Sequence, residues 1–138
     1  MKKIYVDMVG DLFHTGHVEL LKAARAFGDF LLVGVLSDQV ASTYKRQPIM
    51  TMDERISVVP ACRYVDEVLP DAPFIVTGEL LEAYGIDLVV HGSDISDEIC
   101  KEIYGDPLRE GKLQIVERTG GISTTEIIRR IEARYCLT

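Results

Sequence analysis

Ile4-Tyr5-Val6-Asp7-Met8-Val9-Gly10 runs through Asp11-Leu12-Phe13 into His14-Thr15-Gly16-His17 and then Val18 to Phe27. The order of these pieces decides the fold. The first piece is apolar and β-branched apart from Asp7, the pattern of a strand buried on both faces. The last repeats its apolar residues at helical spacing, with Val18, Leu20, Leu21 and Ala24 on one stripe. Strand, glycine turn, helix start is an arrangement that binds phosphate, because a helix N-terminus exposes unpaired N–H groups at the positive end of its dipole. Gly16 lets the backbone approach a ligand where a Cβ would intervene. Two imidazoles three residues apart in the entry turn can each donate to a phosphate oxygen. The same residues also read as a helix cap or a metal pair; their place directly after the first strand favours a nucleotide phosphate site.

Outward from this stretch, strands and helices alternate. The first helix is expected over 16–27, stopped by Gly28. The second strand covers 30–36 and ends at Ser37-Asp38. Residues 43–50 carry the adjacent cations Lys45 and Arg46 without a clear period and read as a mobile loop. Thr51-Met52-Asp53-Glu54 is a capping box opening a helix over 52–61. A third strand is read at 64–68, a helix at 77–84 ended by Gly85, and a fourth strand at 86–91 followed by Gly92-Ser93-Asp94. A short helix is expected over 96–104. Gly105, Pro107 and Gly111 then punctuate a surface loop, and the fifth strand is 113–117. Ser123 caps a last helix running to about Arg134, with Glu126 as its box partner. This alternation predicts a doubly wound, Rossmann-like, five-stranded parallel sheet with helices on both faces, in one domain spanning 1–138.

Composition narrows the class. The chain has 138 residues, 47% hydrophobic and 27% charged, ordinary for a soluble globular domain, with a net charge of −7. That balance argues against a nucleic-acid binder, which needs a basic face. Cys62, Cys100 and Cys136 are odd in number and widely spaced, so neither a disulfide framework nor a zinc cluster is indicated. No secretory leader and no run of membrane-spanning length is read, so the expected location is the cytoplasm without membrane insertion.

The chemistry-bearing residues His14, His17, Asp38, Asp94, Arg118 and Ser123 all fall at strand carboxyl ends, where one crevice can gather them. Two helix N-termini, at Gly16 and at Ser123-Thr124-Thr125, would face it. Lys45 and Arg46 sit on a loop able to close over a ligand, and Asp11 and Asp94 offer carboxylates for Mg²⁺ or a ligand hydroxyl. The set suits displacement at phosphorus, where catalysis is mostly positioning and charge stabilisation. No protein nucleophile is apparent. Asp7, inside an apolar strand, needs partners if buried.

These motifs resemble the cytidylyltransferase family, which makes CDP-alcohols from CTP and a phosphoalcohol. The matching pieces are Asp11-Leu12-Phe13-His14-Thr15-Gly16-His17, Arg63-Tyr64-Val65-Asp66-Glu67-Val68, His91-Gly92-Ser93-Asp94 and Arg118-Thr119-Gly120-Gly121-Ile122-Ser123-Thr124-Thr125. The resemblance implies that His14, His17, Lys45 and Arg118 act on the phosphates during transfer. It implies that Val9, Gly10, Asp11, Gly16, Asp38, Arg63, Gly92, Asp94, Thr119, Ile122, Ser123 and Thr124 hold the nucleotide, with Asp11 also at a Mg²⁺ ion. It further implies a homodimer paired near Arg63-Tyr64-Val65-Asp66. The chain departs from the family at Met8-Val9-Gly10-Asp11, where Gly-x-Phe-Asp is usual. It departs again in the closing loop, where Lys45 stands with Thr43 or Arg46 in place of a second lysine.

For the acceptor, Asp7, Arg46 and Tyr64 are the candidate contacts. The segment from Tyr64 to Ile95 resembles the ethanolamine-phosphate branch of the family more than the glycerol-phosphate branch, so phosphoethanolamine or its phosphonate analogue is expected ahead of glycerol 3-phosphate, with Asp7 and Tyr5 or Tyr64 holding the cationic head. An adenylyltransferase of the same fold, and a nucleotide-binding regulatory domain without activity, are the competing readings.

Overall fold

The computed structural model describes residues 1–118 and 121–135; Thr119, Gly120 and Cys136 lie outside the described residues. The strands are β1 (Lys3–Met8), β2 (Phe30–Val35), β3 (Glu67–Pro70), β4 (Leu88–Gly92) and β5 (Leu113–Val116). They form one sheet in the order β3-β2-β1-β4-β5, and every pairing is parallel. The helices are α1 (Thr15–Arg25), α2 (Asp38–Tyr44), α3 (Met52–Val58), α4 (Gly78–Tyr84), α5 (Asp97–Arg109) and α6 (Thr124–Tyr135), with a 3-10 turn at Val59–Ala61 after α3. The chain leaves β1 in one direction and returns to its other side as β4. The carboxyl ends of β1 and β4 therefore part around a switch point.

The continuous apolar strands are explained by cover on both sides. Ile4, Val6 and Met8 of β1 pack with Leu21 and Ala24 of α1 on one face. Tyr5 of β1 packs with Leu80 and Leu81 of α4 and Ile103 of α5 on the other. The Tyr5 hydroxyl is buried with no hydrogen-bond partner among the described residues. Tyr5→Phe is therefore expected to raise stability by about 1 kcal/mol, measured by urea unfolding; a loss of that size would mean the hydroxyl is satisfied.

Several expected elements differ in ways that have causes. The loop read at 43–50 begins inside α2, which Ser37 caps by accepting from the Val40 N–H at 3.1 Å. The third strand is displaced to Glu67–Pro70 because the Asp66 carboxylate takes the Leu31 N–H at 2.8 Å and the Arg25 guanidinium at 3.1 Å. The preceding residues turn, with Val65 N–H donating to the Cys62 carbonyl. The loop expected at 105–111 is mostly helix. Tyr104 leaves helical geometry at φ −113°, ψ 24°, so Pro107 falls near the start of a second helical segment, where its missing N–H costs nothing. Gly28 does not stop α1, which ends at Arg25 with a right-handed cap at Ala26. Thr51 and Glu54 form the reciprocal box at the start of α3 as expected. Ser123 caps α6 through the Glu126 N–H at 3.0 Å, but the Glu126 side chain turns to Arg129 and Arg130 and is no box partner.

Candidate active site

A crevice of about 1310 Å³ opens at the carboxyl ends of β1 and β4. At its centre is the turn from β1 to α1. Gly10 sits at φ +71°, a conformation open to glycine at little cost, and Leu12 follows at φ +47°. His14 is the N-cap of α1. Its Nδ1 accepts from the Gly16 N–H at 3.0 Å, and the His17 Nδ1 accepts from the His14 N–H at 3.1 Å. The two histidines are thus a capping box of imidazoles. The cap and the phosphate site, which the sequence left as rivals, are compatible. With both Nδ1 atoms accepting, the neutral rings carry their protons on Nε2 as donors, the His14 one lying beside the Thr124 hydroxyl.

The environment keeps the rings neutral. Burial pushes His17 down to about 3, with His14 and Lys45 adding to the effect. Burial, then Arg118, lowers His14. The rings lie 4.0 Å apart between centroids, and Phe13 stacks on His17 at 5.2 Å and 9°. Gly16 is required by the His14 ring, which a Cβ would meet at 2.8 Å. Thr124 of α6 closes the group, its hydroxyl donating to the Asp11 carbonyl at 2.8 Å, 3.5 Å from the His14 Nε2.

The cations gather beside this turn. Lys45 follows α2 and lines the crevice, and burial lowers its pKa against the pull of Asp94. Arg46 donates to the Thr125 hydroxyl at 3.0 Å. Thr43 turns its hydroxyl back to the Val40 carbonyl, so Arg46 is the second cation of this loop. Arg118 pairs with Asp94 at 3.1 Å and reaches the Ile122 carbonyl at 3.2 Å. Val9, Gly92 and Ser123 also line the crevice.

Other expected site residues stand elsewhere. Asp38 is outside the crevice, its carboxylate held by Arg55. Arg63 and Tyr64 precede β3 at the amino edge of the sheet; Arg63 is exposed, and Tyr64 packs against the core beside α1. They do not meet the crevice of their own chain. Asp11 does line the crevice but does not fit a metal ligand. It is 4% exposed, and its two oxygens accept from the Ile49 and Met50 N–H groups, each at 2.9 Å. Its role here is to anchor the loop after Lys45. Among the described residues, no three His, Cys, Asp or Glu side chains are disposed around a metal position.

At the far end of the crevice is a group of which the sequence disclosed Asp7 and His91 but not the residue that joins them. The Tyr104 hydroxyl donates to the Asp7 carboxylate at 2.5 Å, and the His91 Nδ1 lies 3.0 Å from the same hydroxyl. Since the hydroxyl proton goes to Asp7, the His91 Nδ1 must be the donor to Tyr104. Burial raises Asp7 to about 6, although the Tyr104 bond opposes the rise. Tyr44 and Phe74, with ring centroids 4.9 Å apart, line the same end. These rings, rather than Tyr5 or Tyr64, accompany Asp7.

Such a sheet, with a helix N-terminus and cations at its switch point, is a doubly wound parallel α/β fold with a candidate phosphate site. The crystal structure of the lipopolysaccharide core biosynthesis protein from Thermoplasma volcanium shares this fold, with a TM-score of 0.69 at 22% identity, covering 88% of this chain and 99% of that one. The chain belongs to the cytidylyltransferase-like family, whose model matches residues 11–130. It is 46% identical over 138 residues to the ethanolamine-phosphate cytidylyltransferase of Arabidopsis thaliana, covering 96% of this chain and 33% of that one. It is 42% identical over 132 residues to the "Probable ethanolamine-phosphate cytidylyltransferase" of Encephalitozoon cuniculi, covering 95% and 41%. The chain thus spans 33–41% of the length of these relatives.

Proposed function

We propose that the protein transfers CMP from CTP to phosphoethanolamine or a close aminophosphonate analogue, releasing pyrophosphate. The observation that carries this reading is the polarity of the crevice: neutral Nε2–H donors, Lys45 and Arg118 beside the β1–α1 turn, and the buried Asp7 carboxylate at the other end. The named activity of the two relatives supports the same choice. In this mechanism the acceptor phosphate, already an anion, attacks the α-phosphorus of CTP. The bond from that phosphorus to the β-phosphate oxygen breaks, and pyrophosphate leaves. His14 and His17 donate hydrogen bonds to oxygens whose charge grows in the transition state, Lys45 and Arg118 offset that charge, and Asp7 holds the ammonium head. Mg²⁺ would accompany the CTP phosphates and offset part of their charge.

Pyrophosphate release should appear with CTP and phosphoethanolamine, and much more slowly with ATP or with glycerol 3-phosphate. A preference for ATP would make the protein an adenylyltransferase. Release with no nucleotide and acceptor pair would leave a regulatory domain. The pH dependence is specific to Asp7. Below about pH 6 the carboxylate protonates and loses its hold on a cation. The ratio of kcat/KM for phosphoethanolamine to that for glycerol 3-phosphate should therefore fall there, the titration of the acceptor phosphates largely cancelling. A flat ratio would remove Asp7 from acceptor binding.

The same reading includes a homodimer paired near Arg63–Asp66, where both of these residues are exposed, and light scattering measures its mass. It also includes residence in the cytoplasm, supported by the free thiols Cys62 and Cys100. Among the described residues, no helix is long and apolar enough to cross a membrane.

A further inference from the structure

Arg55, on α3, is fully buried, and its guanidinium joins four acceptors on three separate segments. Nη1 donates to the Val9 carbonyl at 2.6 Å and to the Leu36 carbonyl at 2.7 Å. Nε donates to the Met50 carbonyl at 3.2 Å, and Nη2 to the Asp38 carboxylate. The last two partners bracket the segment that carries Lys45. Asp38 is the first residue of α2, Lys45 directly follows that helix, and Met50 lies just before α3, with its N–H held by Asp11. One guanidinium therefore ties down both ends of the stretch from Asp38 to Met50. Through Val9 it also ties that stretch to the turn that presents His14 and His17. Between the ties, Arg46 reaches Thr125, Tyr44 packs on Phe74 and the Ile49 N–H is held by Asp11.

A buried charge is costly and is kept only where its partners are complete. A planar fork is suited to joining several acceptors at fixed angles, which a lysine cannot reproduce. We propose that Arg55 is a positioning residue for transfer, setting the distance from Lys45 to the histidine turn without touching substrate. The proposal rests on the reading of Lys45 as a phosphate contact.

The test is a double-mutant cycle with Lys45, run beside a measurement that needs no activity. Arg55→Lys keeps the core charge and guards against simple failure to fold; Arg55→Met removes it. Each should lower kcat, Arg55→Met by roughly 10²-fold, as expected when a reacting group is misplaced by about an ångström. KM for the acceptor should change by less than about threefold, since Arg55 touches none of its contacts. In a Lys45→Met background the same changes should cost less than about twofold more, because residues acting through one another are not additive. Fully additive losses would overturn the proposal and leave Arg55 with a general structural role.

Trypsin supplies the second reading. Cleavage after Lys45 and Arg46 should quicken at least tenfold in both Arg55 variants, while β1 and β2 amides keep their exchange protection. Unchanged cleavage would equally overturn the proposal. If the unmodified protein transfers no CMP to any acceptor, the functional reading fails by itself, and the cleavage result still decides whether Arg55 holds this segment.

Discussion

Replacing His17 with alanine should lower the rate of CMP transfer by roughly 10²-fold or more, with a much smaller change in KM for CTP. The histidine is neutral, pushed down to about 3 by burial, so it contributes a directed Nε2–H rather than a charge. A donor of this kind matters most when the oxygen it faces gains negative charge, which happens in the transition state and not in bound CTP. The substitution also breaks half of the capping box, since the His14 N–H loses its acceptor, at a cost of about 1 kcal/mol in stability. His17→Asn separates the two effects, because its amide oxygen can still accept from the cap while the ring donor is gone. Steady-state kinetics beside thermal melts make the comparison. A variant with nearly normal turnover would take His17 out of the mechanism.

Asp7→Asn should act in opposite directions on stability and on use of the acceptor. Burial raises Asp7 from 3.8 to about 6. Between those values the folded protein holds a proton that the unfolded chain has released, so stability falls as pH rises through this window, and the whole penalty is present above about 6. Asparagine carries no such penalty and can still accept from Tyr104. The variant should therefore be more stable than the parent by on the order of 3 kcal/mol at pH 7.5, and by little at pH 4. At the same time kcat/KM for phosphoethanolamine should fall by roughly 10- to 10²-fold, with KM for CTP nearly unchanged. Urea unfolding at the two pH values and competition kinetics measure the pair. A variant destabilised at both, or weakened equally toward CTP and acceptor, would return Asp7 to a purely structural part and favour glycerol 3-phosphate.

The sheet and the histidine turn were legible because their signals are local. An apolar strand, a glycine turn and a helical period adjoin in sequence, and Thr51 announces α3 through a partner only three residues away. Asp7 was marked because a carboxylate in an apolar strand requires a partner. The partner itself was hidden, since Tyr104 is 97 residues distant and a tyrosine near the end of an expected helix resembles any core aromatic. Arg55 escaped notice for a related reason. An arginine within a charged helix normally lies at the surface, and three of its four acceptors are backbone carbonyls, which leave no mark in residue identity. Asp38 was placed correctly at the end of β2, but a position at a strand's carboxyl end does not determine which way a side chain turns, and here Arg55 claims it. Arg63 and Tyr64 followed from family resemblance rather than from topology, and the parallel register sends them to the opposite edge of the sheet.

The central strand is made before the other four but waits for its second neighbour until the fourth strand. β1 receives its second neighbour only when Leu88 comes level with Ile4, and the hydroxyl that closes on the Asp11 carbonyl belongs to a residue 113 positions later. At ribosomal speeds of roughly 5–20 residues per second, the histidine turn is made about 5–21 s before Thr124 is even synthesised. During that interval one flank of a strongly apolar strand is open to any other strand edge. Newborn chains are thus most prone to aggregate before β4 emerges, and a translational pause just upstream of Leu88 should lower soluble yield more than an equal pause placed after Val116.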